Sequence, residues 1–289
     1  MLDADTANEI DDLFAITRVV CQDRFETLCL NSAQWRHYLS SQWCLPGESS
    51  VDASHRFNRE LLDSLGVRGL PLHRGSEEPL GKPWGGSEPK DSPAAQAIIA
   101  AARETPPADK LTVVCLGAST NLASAIAIEP AIVPRLRVYV LGFTYEHDRG
   151  VWNKSEFNIR RDLNAADLLL NTQGLELHVM PTNVAKDLTF DRRDTFDRLA
   201  ELGPAGELLV DKWNARFEDY ETWIMWDVAL VEALLRPELA EQSTVSTPPE
   251  NTPRQISVYS AIDAPQMRRS YWKALQRIKA PTRPAEKQP

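Results

Sequence analysis

Short apolar runs recur along the chain: ETLCL (26–30), LTVVCLG (111–117), LRVYVLG (136–142) and LELHVM (175–180). Their length and their Val and Leu content fit strands buried on both faces. Stretches with helical spacing lie among them. NEIDDLFAITRVV has apolar residues at 10, 13, 14 and 16, and SPAAQAIIAAARE opens with Ser92 as an N-cap and Pro93 at the first helical position. TNLASAIAI, DLNAADLLL and WDVALVEALL complete the set. Strands alternating with helices predict an α/β fold, a mostly parallel central sheet with helices on both faces, in one domain over residues 1–279. Two segments break the rhythm and are expected as surface loops: residues 66–93, rich in Gly and Pro, and the polar residues 237–255. The tail 280–289 is expected to be disordered.

Charge narrows the partners. The 289 residues carry a formal net charge of −9, which disfavours nucleic-acid polymers and anionic membrane surfaces but not a small neutral molecule. No run approaches the roughly 18 apolar residues of a membrane span. Nor is there a charged-then-apolar leader. Cys21, Cys29, Cys44 and Cys115 show no metal-ligand spacing, so reduced thiols and a cytoplasmic compartment are expected. Only Met1 and Leu2 precede Asp3. The expectation is that the first strand, and any leader, begins upstream.

The opening MLDADTANEIDD holds four aspartates and a glutamate. Asp3 and Asp5, two apart, share one face if they lie on a strand. Asn8 is placed as an N-cap, with Asp11 and Asp12 in the first helical turn, where acidic residues also complement the helix dipole. The carboxyl end of a strand is where open α/β sheets bind ligands. Carboxylates converging there need a cation or raised pKa values. With no His or Cys nearby, an oxygen-only site favours Ca²⁺ or Mg²⁺. Three further segments fall at strand ends or helix starts: CLGASTNLA (115–123), NKSEFNIRRD (153–162) with Asn153, Glu156 and Asn158, and MWDVALVEALL with Asp227.

Together these segments resemble the nucleoside hydrolase family of the inosine–uridine type. DADTANEIDD is similar to its Asp-x-Asp-x-x-x-Asp-Asp opening, lengthened by two residues as in a branch that carries NEIDD. GASTNLA, EFN with Asp162, and the Trp226-Asp227 pair resemble its later motifs, and order and spacing agree over roughly residues 3–235. RQISVYSAID (254–263) resembles its closing strand. The resemblance implies hydrolysis of the N-glycosidic bond of ribonucleosides, giving free base and ribose through an oxocarbenium-like transition state. It implies Ca²⁺ held by Asp5, Asp12, Asp227 and the carbonyl of Leu116, with Asp5 as general base. Asp11, Glu156 and Asn158 would hold ribose hydroxyls, Asn153 matches more loosely, Asn8 would cap or reach the ribose, and Asp3 would support. Members are commonly dimers or tetramers, so a homodimer or homotetramer is implied.

Many members have His before the last metal ligand, whereas here it is Trp226, as in the purine-specific class. Stacking of a purine on Trp226 would then stand in for a side-chain acid, with Trp84 as the other half of a sandwich. Asn31, Gln34 and Trp35 all lie where the family often has a sugar-contacting Asn, and His147 is a further candidate to reach the leaving group. Two alternatives stay open: a non-catalytic nucleoside- or sugar-binding module on this fold, and a Mg²⁺-dependent phosphatase of haloacid-dehalogenase type.

Overall fold

The computed structural model describes residues 1–35, 43–106 and 108–278. The expected tail at 280–289 lies outside them. The strands are β1 Leu2–Ala4, β2 Leu30–Ser32, β3 Leu72–Arg74, β4 Leu111–Cys115, β5 Leu136–Leu141, β6 Thr144–Glu146, β7 Val151–Asn153, β8 Glu176–Met180, β9 Thr189–Asp191, β10 Thr222–Ile224, β11 Ala240–Ser246 and β12 Gln255–Ile262. The helices are α1 Asp11–Val20, α2 Ser50–Ser64, α3 Pro93–Glu104, α4 Thr120–Ile128, α5 Phe157–Arg161, α6 Leu163–Asn171, α7 Thr182–Ala185, α8 Arg192–Leu199, α9 Pro204–Phe217, α10 Trp226–Leu235 and α11 Ala264–Leu275.

Eight strands form one sheet in the order β11-β12-β8-β5-β4-β1-β2-β3. All neighbours run parallel except β11 against β12. Side chains of β4 alternate between two cores, as strand geometry requires. Val113 and Cys115 join Ile98, Leu122 and Leu170 on one face. Val114 faces the other, with Phe14, Leu230 and Tyr271. Burying each such aliphatic or aromatic side chain stabilises the fold by about 1.5–3 kcal/mol. The doubly covered sheet explains why its inner strands read as mainly apolar runs, broken at half-buried positions such as Arg137, Glu176 and His178.

Four local expectations are corrected. β2 starts at Leu30, because its register partner Leu2 is where β1 starts. Within 66–93, Leu72–Arg74 adds a three-residue edge strand, too short to show a period. Within 237–255, Ala240–Ser246 forms the antiparallel edge β11, whose mostly exposed residues need no apolar face. Helix α1 starts from Ile10 with no side-chain cap, so Asn8 is not the N-cap. Ser92 and Pro93 do open α3 as expected. The four cysteines form no disulfide. Among the described residues, no helix is long and apolar enough to cross a membrane.

Candidate functional site

Parallel strands bring their carboxyl ends to one edge. The chain steps outward from β1 to β3, returns to β4 beside β1, then steps outward through β5, β8 and β12. The order therefore reverses between β1 and β4, the switch point at which open α/β sheets take ligands. A cavity of ≈ 420 Å³ opens at that edge, and Asp5, Asp11, Asp12, Glu156, Asn158 and Asp227 all line it.

Two helix N-termini converge on its floor. Asp11 and Asp12 stand in the first turn of α1, and Asp227 in the first turn of α10. Each carboxylate of the first pair is held by a backbone amide from another segment: the Asp227 N–H donates to Asp11 at 3.1 Å, and the Asp5 N–H donates to Asp12 at 3.1 Å. Carboxylate oxygens of Asp11, Asp12 and Asp227 lie within 4.8 Å of one another. The positive ends of the two helices favour negative charge here, but burial opposes it. Burial lifts the carboxyl of Asp5 to about 8, with the Asp11 charge adding to the rise. It lifts Asp11 to about 6 despite hydrogen bonds that favour the anion. Asp12 and Asp227 are driven well above the usual carboxylate range by burial and by repulsion from the other aspartates. Oδ2 of Asp5 and Oδ1 of Asp227 are buried without a hydrogen-bond partner.

Supporting groups come from neighbouring strand ends. Asp3 is buried, accepts from the Asn31 amide at 2.6 Å, and is raised to about 6 by burial. Glu156 caps α5, accepting backbone N–H bonds from Asn158 (3.1 Å) and Ile159 (3.2 Å), and from Phe143 (3.3 Å). Phe143 is held at φ 63°, a left-handed conformation rare for a bulky residue, so the turn after β5 is strained where it meets Glu156. The Asn158 amide donates to the Leu116 carbonyl at 2.5 Å and to the Leu141 carbonyl at 3.3 Å, tying the ends of β4 and β5 together. The Leu116 carbonyl therefore already accepts one bond.

Of the residues singled out from the sequence, Asn8 and Trp226 also line the cavity. The Asn8 N–H closes a turn on the Asp5 carbonyl at 2.8 Å. Trp226 sets its ring nearly perpendicular to that of Trp223, 6.5 Å between centroids. Trp84 and Asn153 do not line it. Trp84 is 83% exposed in its loop. Asn153 lies on β7, where its side chain accepts from the Ser155 N–H at 2.8 Å. Gln34 donates to Thr120 at 3.2 Å, and Trp35 is core. His147 bonds the Tyr259 carbonyl at 3.1 Å and lines a separate cavity. Asp162 serves locally, capping α6 and accepting from Leu80 and Thr120. Sequence reasoning missed Glu9, Thr144, Thr182, Asn183, Lys186 and Ile224 in the lining. Glu9, inside NEIDD and lifted to about 8 by burial beside Asp11 and Asp5, was the one with a signal.

The family model described as inosine-uridine preferring nucleoside hydrolase matches residues 1–269. The putative pyrimidine-specific ribonucleoside hydrolase RihB of Shigella dysenteriae serotype 1 is 37% identical over 122 residues, 38% of this chain and 42% of that relative. The chain thus aligns with less than half of that relative's length. A solved plant nucleoside hydrolase, PpNRh1, superposes with a TM-score of 0.73 at 18% identity, covering 96% of this chain and 98% of that one. A purine-preferring ribonucleoside hydrolase from Gardnerella vaginalis superposes with a TM-score of 0.71 at 17% identity, covering 96% and 98%. These two likenesses show a common fold.

Proposed function

The chain belongs to the inosine-uridine preferring nucleoside hydrolase family, and from that membership we propose that it hydrolyses the N-glycosidic bond of ribonucleosides with Ca²⁺, preferring purines, as a single domain over residues 1–279. Membership sets aside the phosphatase alternative. The observation that carries the reading is the meeting of Asp11, Asp12 and Asp227 oxygens on the floor of a cavity that Asp5, Glu156 and Asn158 also line.

The residues fit a hard cation. The donors are oxygens only, several are buried and mutually repelling, and two carboxylate oxygens lack any partner. Asp5, Asp12 and Asp227 would hold the ion, with the Leu116 carbonyl, and Asp11 stands in the same cluster. When bound, Ca²⁺ supplies positive charge that acidifies water and orients a sugar diol. Asp5, whose ionised form the cation would favour, accepts the proton that the attacking water loses. The Asp11 and Glu156 carboxylates and the Asn158 side-chain oxygen accept hydrogen bonds from ribose hydroxyls. The surrounding carboxylates stabilise the positive charge that builds on the sugar as the bond breaks. Trp226, backed edge-on by Trp223, supports purine stacking, worth about 1–3 kcal/mol per base in other proteins. The pyrimidine-specific relative aligns with only 38% of this chain, so its name weighs little against this choice.

The test is direct. The full chain is incubated with inosine or uridine, with Ca²⁺ or with chelator, and free base and ribose are quantified. Base release only with metal, faster from inosine, is expected. Asp5→Asn should lower turnover by about 10²–10⁴-fold. Near-normal turnover in that variant would remove Asp5 as the base. Nucleoside binding without any base release would leave a binding module instead.

A further inference from the structure

We propose that Lys186 is the proton donor to the departing nucleobase; this assignment rests on the hydrolase reading above. Breaking the bond between the anomeric carbon and the base nitrogen leaves the electron pair on the base. A nucleobase anion leaves poorly unless a proton or strong hydrogen bond meets it. A tryptophan face can stack on a base but gives it no proton. His147, the other candidate donor, opens onto a different cavity.

Six carboxylates line the cavity (Asp5, Glu9, Asp11, Asp12, Glu156 and Asp227), and among the described lining residues there is one cation, Lys186. Its position is specific. Lys186 follows α7, with its N–H bonded to the Thr182 carbonyl at 3.0 Å. Two residues on, the Leu188 carbonyl accepts from the Met225 N–H at 2.8 Å, and Thr189 is the register partner of Ile224. The segment carrying Lys186 is thus tied to the segment that delivers Trp226. Lys186 therefore enters the lining from the side of the cavity that carries Trp226.

Lys186 is also uncommitted. It forms no ion pair with any described residue. The adjacent Asp187 faces the separate cavity of His147. The Asn183 amide, which shares the lining, is spent at both ends on Tyr145: its oxygen accepts the Tyr145 N–H at 3.0 Å and its nitrogen donates to the Tyr145 carbonyl at 3.1 Å.

The step balances. A water proton passes to the Asp5 carboxylate as the water oxygen bonds to the anomeric carbon. The C–N electron pair moves to the base nitrogen, and a proton from Nζ of Lys186 passes to the base. Asp5 and the neutral amine then exchange protons with solvent.

The experiment compares the full-length protein with its Lys186→Met variant, both with Ca²⁺, on inosine, uridine and 4-nitrophenyl β-riboside, whose phenolate leaves without protonation. Lys186 is exposed, so the change leaves the core intact. The variant should lose about 10²–10⁴-fold in kcat/KM on the nucleosides yet stay within about 3-fold on the nitrophenyl riboside. Unchanged nucleoside turnover, or equal losses on all three substrates, would overturn the assignment while the hydrolase reading stands. No turnover of any substrate by the unsubstituted protein would bring down both.

Discussion

A methyl group placed on Gly117 would stand 2.6 Å from Oδ1 of Asp5 and 2.7 Å from its Cγ. Asp5 is 2% exposed and its own N–H is bonded to Asp12, so its carboxylate would have to give way into the cavity it lines. The turn after β4 is thus the back wall of the proposed base. Gly117→Ala should displace the Asp5 carboxylate, and a misplacement near 1 Å costs about 10²-fold in rate. Gly174→Ala is the control. Its φ of +78° penalises any side chain, but it faces open space away from the cavity. It should lower Tm without lowering kcat, as measured by steady-state kinetics beside thermal melts. Equal kcat losses in the two variants would show that Gly117 matters only to the fold. The sequence exposed the small-residue turn GASTNLA and the aspartates separately. That Gly117 backs Asp5 required β4 to lie beside β1, a pairing between segments about 110 positions apart. Lys186 shows a stronger form of the same limit. It lies in no motif, and the bonding of residues 188–189 to 224–225 that ties its segment to Trp226 joins parts of the chain far apart in sequence. Trp84 failed in the opposite direction, since an aromatic in a Gly/Pro-rich loop has no periodicity to say which way it faces.

At the scale of elements, the site depends on how α1 and α10 are set against each other. Both begin at the cavity floor, and lower down they are joined by the ion pair of Arg18 Nε with Glu232. Arg18 is 6% exposed and Glu232 fully buried. A buried pair adds little net stability over apolar packing, but removing one partner strands a charge. Arg18→Met should therefore cost about 3–5 kcal/mol, and adding Glu232→Leu should recover most of it. Urea denaturation of both variants checks this. A double variant no better than the single would mean that the pair carries more than its own charges. The same helices show what a single sequence reveals. α10 is buried along nearly its whole length, packed against α1 and α11, and apart from Asp227 and Glu232 it is apolar; its length and start at Trp226 were legible. Strand β11 was not. An edge strand with polar residues on both faces lacks the alternation that marks a half-buried strand. The extra residues in DADTANEIDD delay α1 to Asp11 and bring Asn8 and Glu9 into the cavity lining, which spacing alone could not show.

For the whole molecule, these carboxylates should make folding stability depend on pH and, if they take up the proposed cation, on that cation too. The net charge of −9 is spread over the chain, but its most costly part is concentrated at the cavity floor. Asp3 and Asp11 are raised to about 6, and Asp5 and Glu9 to about 8, in each case chiefly by burial. In the unfolded chain the same groups ionise near their ordinary values of 3.8–4.5. Between about pH 4 and about pH 8 the folded state therefore holds protons that the unfolded state has released. Under linkage, stability then falls as pH rises through that window, and the full contribution is present only below it. A bound cation replaces those protons and reverses the sense, because it favours the ionised carboxylates. In chelator, Tm should fall from pH 5 to pH 8. Added Ca²⁺ should raise Tm more at pH 8 than at pH 5, with a shift that grows with its concentration. Thermal melts at the two pH values, with and without Ca²⁺, measure both effects. A Tm that rises with pH in chelator, or a Ca²⁺ shift of equal size at both values, would mean that the aspartates of NEIDD and Asp227 are not the groups the cation meets.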